Sequence, residues 1–148
     1  AQLDIYGNIP DEVYLNEVKQ LIKPGSPVNY HGAYQPQDLP MILSQIDIGV
    51  IPSRFESYSL VAREFFQAKV PVIASNVGGL AEIVQDGING LLFRVGDWND
   101  LSQKMRYVLE DPGIIEKLRS NIPHIPTVQE EVDRIIGVYE KAILGKNK

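Results

Sequence analysis

Two short segments, Ile48-Gly49-Val50-Ile51-Pro52 and Pro71-Val72-Ile73-Ala74, are apolar without alternation. A strand with one wet face alternates apolar and polar side chains. An uninterrupted apolar run needs cover on both faces, as in a parallel sheet layered between helices. The residues between them, Tyr58 to Ala68, read as a helix, and parallel strands need such a crossover. This unit predicts an open, Rossmann-like parallel sheet with right-handed crossovers and helices on both faces.

The remaining chain keeps the same rhythm. Strands are predicted at Leu3–Tyr6, Val28–His31, Asp47–Ile51, Pro71–Ala74 and Leu91–Phe93. Asp11 caps a helix with Tyr14, Val18, Leu21 and Ile22 on one face, and a short helix runs from Asp38 to Ser44. Others are expected around Leu80–Val84, after Asp97, and over Ile114–Ser120. Thr127 and Glu130 form a capping box before a stripe of Val128, Val132, Ile135, Ile136, Tyr139 and Ile143. The 148 residues suit one domain, and no interior linker or repeat breaks them.

Composition removes several classes of function. The chain has no cysteine, which excludes disulfides, thiolate nucleophiles and cysteine-held zinc. Its net charge is −5, without the basic cluster that nucleic-acid binding needs. No apolar run approaches the ~18 residues of a membrane span, and no signal peptide is visible at the N-terminus. The two histidines, His31 and His124, have no partners at metal-ligand spacing; His31 reads as a packing residue. No Asp-x-Asp pair, phosphate loop or nucleophile elbow occurs. Trp98 reads as a packing anchor.

In open parallel sheets, ligands collect at the carboxyl ends of the strands. Here these are Gly7, Gly32, Pro52-Ser53, Ser75 and the loop before Gly96. Two glutamates, Glu56 and Glu64, stand beside this rim. Glu56 suits either a helix-end acid favoured by the helix dipole or a carboxylate accepting hydrogen bonds from sugar hydroxyls. Glu64 lies beside Leu60, Val61, Phe65 and Ala68, where an unpaired charge is costly. Its partner is Arg63, Lys69 or a vicinal diol. The amides of Ser57, Tyr58, Ser59 and Leu60 form the expected first turn, an anion site that needs no net positive charge. Ser57 or Ser59 serves equally well as an N-cap. Gly78-Gly79 permits either a tight turn or close approach to a ligand.

The segment PSRFESYSLVAREFFQAKVPVIASNVGGLAEIV resembles the E-x7-E segment of the retaining glycosyltransferases of the GT-B fold, the large group 1 family. Pro52, Ser53, Glu56, Tyr58, Leu60, Glu64, Ala68, Pro71 to Ser75, Gly78, Gly79 and Glu82 match that pattern. DGINGLLFRVGDWNDL and VNYHGAY fit as well, so the resemblance covers nearly the whole chain. Ser59 departs from it, standing where glycine is usual, and Lys69-Val70 lies around a second glycine position.

The resemblance implies most of the C-terminal, nucleotide-sugar donor-binding domain of a two-domain enzyme, with the N-terminal acceptor domain outside this chain. The enzyme would be a hexosyltransferase-type glycosyltransferase. It would move a sugar from a nucleoside diphosphate donor to the hydroxyl of a saccharide or lipid-linked saccharide with retention, in polysaccharide or glycolipid synthesis. Glu56 would contact the donor sugar and stabilise developing positive charge. The amides around Ser59 and Leu60 would hold the diphosphate, Glu64 the ribose hydroxyls, and Gly32 and Ala33 would lie near the base. No cofactor and no metal are expected. This chain alone is expected to be inactive. The implied location is cytoplasmic, free or peripheral at the inner face of a membrane in the full-length protein. The alternatives are a non-catalytic nucleotide or sugar-phosphate binding module, and a structural domain whose glutamates pair with Arg54, Arg63 or Lys69.

Overall fold

The computed structural model describes residues 1–145. It alternates strands and helices: β1 (Leu3–Tyr6), α1 (Glu12–Leu21), β2 (Val28–Gly32), α2 (Leu39–Leu43), β3 (Gly49–Ile51), α3 (Leu60–Gln67), β4 (Val72–Ser75), α4 (Gly78–Ile83), β5 (Gly90–Phe93), α5 (Trp98–Glu110), α6 (Pro112–Ser120) and α7 (Val128–Gly145). One 3-10 turn, Pro36–Asp38, precedes α2.

Every strand pairing is parallel. The strands form two sheets, β1-β2 and β3-β4-β5, where one open sheet is predicted. The division follows the packing. None of residues 1–42 is buried, so the first sheet has no core of its own to lock it against β3.

Around β4 the layered arrangement is complete. Val72, Ile73, Ala74 and Ser75 are all buried. Because side chains alternate across a strand, Val72 and Ala74 enter a cluster with Ala62 and Phe66 of α3, Leu80 of α4, and Ile51, Val84 and Ile122. Ile73 turns the other way, joining Leu91 and Phe93 of β5, Val108 of α5, and Ile114 and Leu118 of α6. Helices therefore cover both faces, as the apolar runs require.

Local chemistry sets the boundaries. The Asp11 carboxylate accepts from the amides of Val13 and Tyr14, starting α1. Asp97 does the same for Asn99 and Asp100 at α5. The Thr127–Glu130 capping box forms as predicted: the Glu130 amide donates to Thr127 Oγ1 at 3.2 Å, and the Thr127 amide to Glu130 Oε2 at 2.6 Å. The bond from the Thr127 amide, with its hydroxyl beside it, holds the Glu130 carboxyl below its usual range. Beyond them the stripe of α7 is left uncovered, with Val128 82% and Tyr139 66% exposed.

Most strands and helices begin or end one or two residues from the sequence reading, and three starts bear on the site. β3 starts at Gly49 instead of Asp47, and α4 starts two residues earlier, at Gly78. α3 starts at Leu60, two residues later than predicted, because Ser59 adopts a left-handed φ of 55° and serves as the N-cap.

Candidate functional site

The strongest concentration of site features lies between β3 and α3. β3 ends at Ile51, and Ser75 at the end of β4 anchors the start of the loop that leaves it. The Ser75 hydroxyl is buried and lies within hydrogen-bonding distance of the carbonyls of Ile51, at 3.1 Å, and Ser53, at 2.5 Å. The sequence reading places Ser75 on the rim without giving its hydroxyl a role. Its signal was a hydroxyl residue closing an otherwise apolar strand.

The loop then runs through Glu56, Ser57 and Tyr58 to the cap at Ser59. The Gly78-Gly79 start of α4 lies against it. The Gly79 amide donates to the carbonyl of Glu56 at 3.0 Å. A Cβ on Gly79 would fall 2.6 Å from the Ser57 carbonyl oxygen and 2.7 Å from Tyr58 Cα; one on Gly78 would overlap the Glu56 carbonyl. The glycine pair therefore makes a close approach, and its neighbour is the Glu56–Tyr58 main chain.

That chain directs the side chain of Glu56 onto amides next to it in sequence. Glu56 Oε1 accepts from the amide of Ser59 at 3.0 Å and from that of Tyr58 at 3.3 Å. Two of the amides expected to form an open anion site thus already face a carboxylate. Ser59 Oγ accepts from the Ala62 amide at 3.3 Å, so of the two readings of Ser59 the N-cap is made. Ser57, Tyr58 and Leu60 are solvent-exposed along this edge.

Glu64 lies one turn beyond the cap and is half-buried. The nearest cations in sequence, Arg63 on the helix and Lys69 just beyond its end, both face other groups. The Arg63 guanidinium stacks over the Tyr58 ring, 4.0 Å from its centroid. Lys69 Nζ donates to the carbonyl of Ile122 at 2.9 Å. Among the described residues no ion pair joins Glu64 to either, and none joins Glu56 to Arg54. The buried face of α3 is Ala62 and Phe66, whereas Leu60 and Val61 are 66% and 40% exposed. Glu64 therefore stands at the margin of the apolar core.

The two left-handed non-glycine residues among those described are Ser59, at φ 55°, and Lys69, at φ 58°. Ser59 stands at a position where the resembled pattern carries glycine, and Lys69 lies at the second departure. Both residues hold a backbone conformation that glycine adopts without steric cost.

Gly32 and Ala33 lie at the carboxyl end of β2, in the other sheet. Beside them the Tyr30 hydroxyl donates to the Gly7 carbonyl at 2.9 Å. His31 stacks on Tyr6, with ring centroids 4.6 Å apart, and its Nε2 lies 2.7 Å from Asp4 Oδ1. That hydrogen bond, with a second from Asn29, holds the Asp4 carboxyl below its usual range. His31 is thus a packing residue with a polar partner. The structure brings Glu56, Ser57, Tyr58, Ser59 and Leu60 into one loop, with Glu64 a turn away. No hydrogen bond among the described residues links that loop to Gly32 or Ala33. Trp98 is 74% exposed, which corrects its reading as a packing anchor. No helix among the described residues is long and apolar enough to cross a membrane.

Chemically, this loop and the first turns of α3 offer amides that attract negative charge and two carboxylates able to accept hydrogen bonds from hydroxyls. Comparison with known proteins fits that chemistry. Residues 1–124 match the model of the family "Glycosyl transferases group 1". The chain is 36% identical over 99 residues to a D-inositol 3-phosphate glycosyltransferase of Catenulispora acidiphila, covering 65% of this chain and 24% of that protein. It is 33% identical over 106 residues to a sulfoquinovosyl transferase of Arabidopsis thaliana, covering 70% of this chain and 21% of that protein. The chain thus spans about a fifth to a quarter of these curated relatives. Among solved structures, the sucrose-phosphate synthase of Thermosynechococcus elongatus superposes with a TM-score of 0.79 at 26% identity, over 97% of this chain and 39% of that one. Anabaena HepE in complex with UDP-glucose superposes with a TM-score of 0.73 at 24% identity, over 82% of this chain and 34% of that one, which reflects the fold. With the family model matched over most of its length, the chain belongs to the group 1 glycosyl transferases.

Proposed function

We propose that this chain is the donor-binding part of a glycosyltransferase that moves a sugar, with retention, from a nucleoside diphosphate sugar to an acceptor hydroxyl. The observation that carries the reading is Glu64: a half-buried carboxylate beside the amide-lined loop, with no ion pair among the described residues to Arg63, which stacks on Tyr58, or to Lys69, which bonds the Ile122 carbonyl. A vicinal diol supplies the donors that those cations do not. Family membership and the nucleotide sugar bound by HepE support the same choice of ligand.

In this reading Glu64 accepts hydrogen bonds from the ribose hydroxyls, and the amides from Ser57 to Leu60 receive the diphosphate. Glu56 meets the donor sugar and stabilises the positive charge that develops as the leaving group departs. Gly32 and Ala33 border the base. Divalent metal is not required. The acceptor, a saccharide or lipid-linked saccharide, is presented by another domain of the same polypeptide. Positioning accounts for much of such a rate, so the 148-residue chain alone transfers no sugar.

The test compares UDP with 2′-deoxy-UDP, in this chain and in its full gene product, each as parent and as Glu64→Ala. A hydrogen bond to a charged group contributes roughly 1.5–3 kcal/mol, or about 10- to 150-fold in affinity. Removing the 2′-hydroxyl is expected to weaken binding to the parent and to add little in Glu64→Ala. A deoxy penalty that survives intact in Glu64→Ala removes the ribose from Glu64. Incubating the full gene product with nucleotide sugars and an acceptor separates the enzyme from a binding module that never transfers.

A further inference from the structure

We infer that Glu56 is a displaceable internal occupant of the phosphate position, and that it returns there to expel the nucleoside diphosphate once the sugar has left. The inference rests on the proposed donor site and deepens it. In this structure Glu56 Oε1 takes the amides of Ser59, at 3.0 Å, and Tyr58, at 3.3 Å. These amides lie within the Ser57–Leu60 stretch assigned to the diphosphate. One pair of N–H groups cannot serve the carboxylate and a phosphate oxygen at full strength together, and two anions at one spot repel.

The surroundings limit the parts that have to move. The Glu56 carbonyl is held by the Gly79 amide at 3.0 Å. Gly78 and Gly79 leave no space between α4 and the loop main chain. Ser59 is buried and caps α3 through Ala62. The backbone is thus fixed on three sides while the Glu56 side chain, half-buried at the rim, turns by rotation about its own bonds. With an intact donor bound, the displaced carboxylate reaches the sugar. When the sugar is transferred that contact disappears, and the amides again become its best partners. The same glutamate would therefore favour the donor and disfavour the product.

Were Glu56 to contact the sugar alone, its removal would leave diphosphate affinity unchanged. The capping contact gives the opposite expectation. Titrating UDP and inorganic pyrophosphate into this chain, and UDP and UDP-glucose into the full gene product, tests it in the parent, Glu56→Gln and Glu56→Ala. Both substitutions are expected to tighten UDP and pyrophosphate by about 10-fold, the lower end for one charged hydrogen bond. Both are expected to weaken the nucleotide sugar relative to UDP. The amide nitrogen and proton shifts of Tyr58 and Ser59 should move in the same direction on UDP binding and on Glu56→Gln. UDP that binds parent and variants equally, or binds the variants more weakly, overturns the inference and leaves the donor site standing. If UDP, ADP, GDP and dTDP all bind none of the proteins, the donor-site reading falls and the inference with it.

Discussion

The amide of Gly79 donates to the carbonyl oxygen of Glu56 at 3.0 Å, and this bond joins the start of α4 to the loop that starts α3. Neither partner uses its side chain, so the decisive property of Gly78 and Gly79 is that they have none. Gly78 sits at φ 41°, and an added Cβ would overlap the Glu56 carbonyl; on Gly79 it would press on Ser57 and Tyr58.

Gly78→Ala is therefore expected to destabilise the chain by about 2–5 kcal/mol, combining left-handed strain of 1–2 with overpacking of 1–3. Gly79→Ala costs about 1–3 kcal/mol, from overpacking alone. Urea unfolding of both variants checks this, and losses below about 0.5 kcal/mol, the scale of ordinary surface substitutions, would show that the loop moves aside freely.

Lys69 provides a second backbone test. It holds φ 58° while its ammonium bonds to Ile122 and its carbonyl accepts from Arg119 Nε. Alanine and glycine both remove the ammonium, but only glycine relieves the left-handed strain. Lys69→Gly is expected to be more stable than Lys69→Ala by about 1 kcal/mol, set by a strain of 1–2 less the chain entropy of glycine. An alanine variant as stable as the glycine variant would mean that the strain is absent in solution.

The second half of the fold was legible because its signals are strong and local. The unalternating run at Pro71–Ala74 demands cover on both faces, and the structure supplies it through Ala62, Phe66 and Leu80 on one side and Val108, Ile114 and Leu118 on the other. Asp11, Asp97 and Thr127 mark helix starts because each side chain bonds an amide two or three residues away. The division into two sheets was not legible, since strand pairing depends on edges far apart in sequence. The candidate site was half legible. Residue types and order point to Glu56 and Glu64, but the Glu56 carboxylate lies on the amide of a left-handed Ser59, a conformation that serine rarely advertises. The role of Ser75 depends on Ser53, a contact across two strands.

Asp100 connects β5 to α5 and makes stability depend on pH. Its Oδ2 accepts from the Arg94 amide at 2.8 Å and faces the Arg94 guanidinium at 3.3 Å. The backbone bond first, and the nearby cation with it, hold its carboxyl below the usual aspartate range. A pKa lowered on folding means that the folded state prefers the ionised form, so the contribution is present above the unfolded pKa and is lost as pH falls through the folded one. Asp100→Asn is expected to be less stable than the parent near neutrality, with the gap closing as pH falls below ~4. Denaturant midpoints measured across that range check it. A gap that keeps its neutral-pH size at the acid end would assign the loss to shape or hydrogen bonding instead of charge.

The metal-free reading of the donor site makes the last prediction. Amides at a helix start, here those of Ser59 and Leu60, and loop amides just before it attract phosphate by their own partial charge, so the Ser57–Leu60 stretch does not need a cation to bridge it to the diphosphate. UDP affinity, measured in the full gene product with magnesium, with manganese and after EDTA, is therefore expected to agree within about tenfold, or ~1.4 kcal/mol. Glu56→Gln serves as an internal control. It removes negative charge from the same amides, so a hidden cation bound through Glu56 would make UDP binding weaker in the variant and sensitive to EDTA only in the parent. Tighter UDP binding in Glu56→Gln, equal with and without EDTA, is the expected result. A parent that loses more than tenfold on chelation overturns the metal-free reading, and a loss confined to proteins with Glu56 intact would locate the ion at that carboxylate.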